Sequence, residues 1–444
     1  MNKRRTITLA LVALTFLCSI SFATISKNPQ TWIVDVNGGP GVDFQNIPPA
    51  VAAAGNGDLI LVRPGNYSWF VVDKRLTIIG DPAGVTVMGT VRVQDAAGVV
   101  SLVSMTLDSL EVRDCTKTVI LDEVSILDGQ ALFIGPVGDW VVNIEDSVDV
   151  RFIDSTITGD TGDRHHGLRV ESSRVELVSS TVTAGSGWVS FWCNPSIGYA
   201  AAGGDGMQIS GASRVHTSLS DLVGGDGGVS ASSCTFFYDA APGGSGAVVS
   251  APSEVIVTGG SYTGGPGGST GYVACAPGGD AISGSGQLRR SSVIWTRGLG
   301  GIMEPGFGPS CANGVAVGIA NVVAAPDDPT LERIGIPVSG FLGGSIKLRV
   351  RGDPGSKTRL FLGRRPHVAR PNPSIEIELL LEPVVTIDLG NMPSSGVVTY
   401  VLNLGGPDLP KTYLFTGRQI IAQASCRYPG GELRRTNSVP LVLR

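Results

Sequence analysis

Apolar and polar residues alternate along the middle of the chain in short bursts, and the bursts recur in register. "SRVELVSSTVTAGSG" (Ser173–Gly187) returns forty residues later as "SRVHTSLSDLVGGDG" (Ser213–Gly227). Val175, Val215 and Val255 stand 40 apart, Leu288 continues the column 33 further on, and Val150 precedes it by 25. Alternation predicts strands with one buried face. A fixed apolar column with loops of variable length between strands predicts a β-solenoid in which each unit is one coil. Coils stack at roughly 4.7–4.9 Å, the spacing of paired strands, so like positions lie above one another. Val150, Val175, Val215, Val255 and Leu288 are expected to form one interior ladder, and Ile157, Val182, Leu222, Tyr262 and Trp295 a second. "VSILDG" (Val124–Gly129) and "SMTLDS" (Ser104–Ser109) read as earlier, looser copies.

One residue before the valine column stand Asp149, Arg174, Arg214 and Glu254. This register pairs Asp149 with Arg174 and Arg214 with Glu254, an exposed salt-bridge ladder worth at most about 1 kcal/mol per pair. The coils lengthen because insertions follow "TAGSG", "GGDGG", "GGPGG" and "GLGG". Each insertion carries one cysteine: Cys193, Cys234, Cys275 and Cys311. The four loops are expected to leave one edge of the solenoid and bring these thiols together as Cys193–Cys234 and Cys275–Cys311, with Cys234–Cys275 the rival pairing. Cys115 and Cys426 have no evident partner. The glycine clusters lack a phosphate-loop ending and are expected to serve as positive-φ turns.

The segment "TWIVDVNGGPGVDFQNIPPAVAAAGNGDLILVRPGNYSWFVVDKRLTIIGD" reads strand, short amphipathic helix, strand, turn, strand. Phe44, Ile47 and Val51 fall on one helical face, and Pro48 suits a helix's first turn. Asp43-Phe44, Gly57–Val62, Pro64-Gly65-Asn66-Tyr67 and Leu76–Gly80 resemble the entry segment of right-handed parallel β-helix proteins of the pectin-lyase-like (pectate lyase-like) superfamily. The resemblance, with the coils, covers roughly Trp32 to Val323. It implies a right-handed parallel β-helix whose open end is capped by the helix, which blunts an unpaired edge. The superfamily holds pectate lyases, polygalacturonases, adhesins and non-catalytic surface proteins, so it does not choose a function.

The first residues, "MNKRRTITLALVALTFLCSISFA", have a basic start, an apolar run and small residues at a cleavage site, the pattern of a secretory signal peptide over residues 1–23. Residues 24–323 are then the β-helix, 324–332 a linker and 333–444 a small antiparallel β-sandwich of about seven strands. Charge divides the same way: Thr24–Thr330 carries a net −15 and Leu331–Arg444 a net +7. The basic part could hold an acidic polymer, a cell envelope or its own acidic solenoid, and the default reading is scattered solvated charge. The expected location is secreted, extracellular or at the cell surface, with no membrane span and no nucleic-acid partner.

The superfamily's enzymes need paired carboxylates or calcium ligands with a basic residue. The one Asp-Asp, Asp327-Asp328, lies in the linker, and Lys117 is the only lysine between residues 90 and 320. No catalytic residue carries over by motif. Two candidates remain. "GDTGDRHHG" (Gly159–Gly167) offers Asp160, Asp163, Arg164, His165 and His166 for acid–base work, and Asp160 and Asp163 as oxygen ligands for calcium. The insertions concentrate Trp188, Phe191, Trp192, Tyr199, Phe236, Phe237, Tyr238 and Tyr272, whose faces can stack on sugar rings. The leading expectation is a non-catalytic β-helix protein, without an obligatory cofactor, that binds glycans or cell-surface components through the loop edge. The alternatives are a polysaccharide lyase or glycoside hydrolase and a purely structural surface protein.

Overall fold

The computed structural model describes residues 29–127, 140–159, 166–187, 200–229, 240–269, 275–291, 293–302, 310–324, 330–334, 345–369, 379–403, 419–427 and 433–442. Residues 1–23, expected to be a signal peptide, lie outside the described residues. From Thr31 to Ala324 the strands join in one large sheet assembly whose pairings are parallel. Each coil crosses three walls, called A, B and C. In one coil, Arg174–Val178 belongs to A, Thr181–Thr183 to B and Met207–Ser210 to C.

The column alignment predicted from valine spacing is the register observed. Val150 pairs with Val175, Val175 with Val215, Val215 with Val255 and Val255 with Leu288, and all five are buried. On wall B, Ile126, Ile157, Val182, Leu222, Tyr262 and Trp295 follow one another. Each buried aliphatic contributes about 1.5–3 kcal/mol. Thr217 interrupts a third column of Leu121, Phe152, Leu177 and Val257. Its hydroxyl is satisfied inside the core by the Tyr262 hydroxyl at 2.8 Å.

Why "SRV" and "SST" recur becomes clear at the corners. Ser147, Ser173, Ser213 and Ser253 turn inward between walls C and A, and each hydroxyl accepts the backbone N–H of the residue one coil earlier: Cys115, Ser147, Ser173 and Ser213. Ser155, Ser180 and Ser220 do the same between A and B, accepting from Val124, Ser155 and Ser180. The bend there places Ser104, Glu123, Asp154, Ser179 and Leu219 in the left-handed region, with Gly259 continuing the series. The serine column satisfies amides that a tight bend would strand in the core.

The N-terminal end is closed. Thr31–Val34 pairs with Asp58–Val62, and the helix Ile47–Ala53 buries Ile47, Ala50 and Val51. Asn46 caps the helix by accepting from the Ile47 amide, and prolines fill its first turn, where no amide partner is needed. Phe44, expected on the helix face, precedes the helix instead. It bridges to Val34 and packs on Trp32 with ring centroids 5.5 Å apart.

Beyond Ala324 the strands are antiparallel, in one sheet of three and one of four. Thr330–Ile334 already pairs with Ser345–Arg351, so the sandwich starts inside the stretch expected to be linker. Leu379–Asn391 forms one strand, which passes through Pro383 where the register shifts. A bulge is where a strand tolerates proline.

The sandwich core, including Leu331, Leu348, Leu360 and Leu402, is continuous with Ile120, Ile153 and Val178 of the solenoid. These three point outward from wall A, alternating with the interior Val150, Phe152, Val175 and Leu177. The C-terminal domain thus packs on the outer face of wall A through apolar side chains. Charge is sealed beneath it. Arg151 has 1% of its side chain exposed and lies 2.7 Å from Asp149 and 3.7 Å from Glu176. Burial opposes its charge, yet the two carboxylates outweigh burial and raise its pKa. Asp149 is engaged by Arg151, and Arg214 and Glu254 pair as expected at 3.4 Å.

Candidate functional site: a glycine lattice at one corner

The insertions leave the solenoid at the corner between walls B and C. "GDTGDRHHG" joins Thr156–Thr158 of wall B to His166–Glu171 of wall C. In the next coils the four glycine-bounded insertions occupy the same corner. Every excursion goes out and comes back, so eight segments lie side by side in two layers.

Two rows of backbone hydrogen bonds join these segments. Gly204 donates to the Gly185 carbonyl, Gly225 to Gly204, Gly244 to Gly225, Gly265 to Gly244, Gly279 to Gly265, Gly298 to Gly279 and Gly314 to Gly298, all at 2.8–2.9 Å. This row zigzags between outgoing and returning layers. A second set of bonds runs straight along the stack: Gly187 to Asp226, Gly227 to Pro266 and Gly267 to Leu299 in the outgoing layer, Gly203 to Pro242, Gly243 to Pro277 and Gly278 to Ala312 in the returning one. Donors therefore repeat with period three, the period of an extended polyproline-type helix, which makes no internal hydrogen bonds and turns its amides outward. The residue that donates to neither row is Asp226 or Pro266 outgoing and Pro242 or Pro277 returning, so proline sits where no amide is required.

The expectation that the glycines serve positive-φ turns is corrected at these positions. Gly225, Gly244, Gly265 and Gly279 are outside the positive-φ set. A Cβ on each would lie 1.8–1.9 Å from a carbonyl oxygen of a neighbouring segment. Glycine is needed because the chains approach too closely for any side chain. The signal was present in the sequence as GGDGG (Gly224–Gly228) and GGPGG (Gly264–Gly268) on the way out and as Pro-Gly-Gly (Pro242–Gly244 and Pro277–Gly279) on the way back.

Cys275 and Cys311 form a disulfide with Cα atoms 5.6 Å apart, which ties the third excursion to the fourth and excludes Cys234–Cys275. Cys115 and Cys426 are free and buried. Cys193 and Cys234 lie outside the described residues, as do Trp188, Phe191, Trp192, Tyr199, Phe236, Phe237, Tyr238 and Tyr272. The described part of each excursion is thus the lattice from which the aromatic-bearing segments depart.

Of the acid–base candidates, Asp160, Asp163, Arg164 and His165 lie outside the described residues and His166 lies within them. Its ring stacks on Trp140 of the preceding coil, centroids 4.3 Å apart. Its Nδ1 accepts the Asp205 amide of the following coil at 2.8 Å. An Nδ1 that accepts carries no proton, so the 3.5 Å approach to the Asp205 carboxylate is read as a neutral contact. Asp205 itself accepts from the Ser245 amide at 2.8 Å and from Gln208 at 2.7 Å. His166 is thereby tied into the coil stack through Nδ1. No group of three or more potential metal-ligating residues occurs among the described residues, and none of their helices is long and apolar enough to cross a membrane.

Fold and site together define a two-domain parallel β-helix protein with a disulfide-tied glycine lattice on one corner. No family model and no curated protein matches the chain. Among solved structures, the enzymatically active domain of bacteriophage CBA120 tailspike protein 2 is similar at 10% identity, over 90% of this chain and 74% of that one, with a TM-score of 0.30. A likeness this distant transfers no function.

Proposed function

We propose that this is a secreted, non-catalytic protein that binds glycans or other cell-surface components through the aromatic-bearing ends of its four excursions. The observation that carries the reading is the lattice itself. It gathers four insertions at one corner at the spacing of single coils, and fixes their bases by close backbone contact and a disulfide. Recognition residues are commonly borne on loops that a rigid scaffold positions, and these short insertions are enriched in aromatic residues. Sugar rings are a natural ligand for such faces. A disulfide suits an oxidising, extracellular setting. We further read the solenoid as pectin-lyase-like, on the strength of the entry-segment motifs.

The test is a panel of soluble and immobilised polysaccharides offered to the secreted protein. Saturable binding is expected, lost in Trp188→Ala or Trp192→Ala while the melting temperature holds. Saturable binding untouched by both substitutions, or no binding across a broad panel, overturns the proposal. Incubating the same panel with and without calcium tests the enzyme reading. Product release abolished by Asp163→Ala would replace binding with polysaccharide cleavage at Asp160–His166.

A further inference from the structure

Among the described side chains one aromatic ring stands exposed, that of Trp69, at 52%. Its backbone is fixed on both sides. The Asn46 side chain, which caps the helix, also accepts the Ser68 amide at 3.2 Å and donates to the Ser68 hydroxyl at 3.1 Å. Phe70 is buried in the core, and its carbonyl accepts the Arg92 amide of the next coil at 3.0 Å. A large ring left in water forgoes the stabilisation that burial brings. Trp69 is thus held rigidly at a place that packing does not explain.

The indole rests on Gly89 of the next coil. A Cβ on Gly89 would stand 3.2–3.5 Å from three Trp69 atoms, and its φ is +88°, so glycine lets the ring lie against the backbone. Different kinds of group meet around Gly89. Met88, paired with Ser68, is exposed. The Ser109 hydroxyl donates to the Thr90 hydroxyl at 2.8 Å. The Asp108 carboxylate accepts the Gly89 amide at 2.7 Å through one oxygen, and its other oxygen has no partner among the described residues. The cation two residues beyond Thr90, Arg92, is held by Glu111 at 2.9 Å.

A fixed, half-exposed indole, a carboxylate oxygen free to accept and a pair of hydroxyls complement a pyranose. Its C–H face stacks on the ring and its hydroxyls exchange hydrogen bonds with the oxygens. We propose that Trp69 is the platform of a glycan subsite for an uncharged sugar ring, with Asp108 and the Thr90–Ser109 pair as its polar contacts. The Asp108 charge disfavours a uronate, and the neighbouring cation is already paired. Trp69 joins wall B to wall C, as the excursions do, five coils before the first of them. At the coil spacing this is about 24 Å, too far to share one sugar ring with them. The subsite therefore has the ligand class of the proposed function and none of its residues, and either can fail alone.

The test is fluorine NMR of the full-length protein labelled with fluorotryptophan, the Trp69 signal being assigned with Trp69→Phe. Soluble oligosaccharides of cellulose, mannan, xylan and chitin are titrated in, with oligogalacturonate as the charged counterpart. A saturable shift of the Trp69 signal is expected with at least one neutral chain and not with oligogalacturonate. The shift should persist when Trp188→Ala and Trp192→Ala are combined. In that background, calorimetry should show affinity for the same chain weakened about tenfold by Trp69→Ala. Asp108→Asn, which keeps an acceptor for the Gly89 amide, should weaken it about threefold. Circular dichroism checks folding, and Trp69→Leu stands in if Trp69→Ala fails it. No saturable Trp69 shift with any neutral chain, an equal shift with oligogalacturonate, a shift lost with Trp188 and Trp192, or affinity indifferent to Trp69→Ala would each overturn the inference.

Discussion

The coils are held together in two ways. In the three-walled prism, side chains stack: valine on valine, serine on backbone amide, around a largely aliphatic centre. In the corner lattice, side chains are removed, and extended backbones approach until each amide finds a carbonyl on its neighbour. Both follow the same coil repeat in the same chain. The difference teaches that repetition can be stabilised by what each rung adds to the next or by what each rung leaves out. The prism tolerates loss poorly and the lattice tolerates addition poorly, and that asymmetry can be measured.

The largest effect is expected in the prism. Phe152→Ala removes a fully buried ring from the interior column and should cost about 3–5 kcal/mol, read as a lower midpoint in whole-chain denaturant unfolding. An unchanged midpoint would break the claim that stacked side chains carry this region. Next is Gly244→Ala, which places a methyl 1.8 Å from the Gly204 carbonyl oxygen. Backbone has little room to yield, so a cost of about 1–3 kcal/mol is expected. It should appear as faster hydrogen exchange at the Gly244 and Gly265 amides while prism amides keep their protection.

Tyr262→Phe sharpens the boundary between polar and apolar packing inside the prism. It removes the partner of the buried Thr217 hydroxyl, at about 1–2 kcal/mol. Burial pushes the Tyr262 phenol up, with the Thr217 hydrogen bond pulling weakly the other way. The folded state therefore holds this proton more tightly than the unfolded one. Its contribution is complete below about pH 10, the unfolded value, and is lost as pH rises above that. Wild-type melting temperature should fall more steeply above this pH than that of the phenylalanine variant. The smallest effect belongs to Glu254→Gln. Glu254 bridges Arg214 and Arg289, whose side chains are nearly half exposed, so at most about 1 kcal/mol is expected, shrinking with added salt.

Legibility followed the same division. The valine and wall-B columns could be read because an interior position accepts few side chains, and repeated choice leaves a trace in the letters. The capping helix was legible apart from Phe44. The corner serines were quoted as part of a repeated line without their role being visible, since a hydroxyl turned inward and one turned to water are the same letter. The lattice was misread because glycine serves positive φ and close approach alike, and only the neighbouring carbonyls distinguish the two. Of the acid–base candidates, His166 lies within the described residues, at the corner where the insertions leave. Its engagement by Trp140 and Asp205, from the coils on either side, depends on stacking that linear spacing does not display.

By itself, then, the sequence determined which residues lie above which, because coil length and apolar spacing are properties of the chain alone. Tertiary structure alone decided what the outward faces meet. Arg151 and Ile153 look like solvent positions by alternation and are buried because a second domain lands on them. Ile294 and Leu299 continue outward columns without large aliphatics and stand exposed. Burial of an outward residue depends on a surface distant in sequence, and no local pattern encodes where that surface comes to rest.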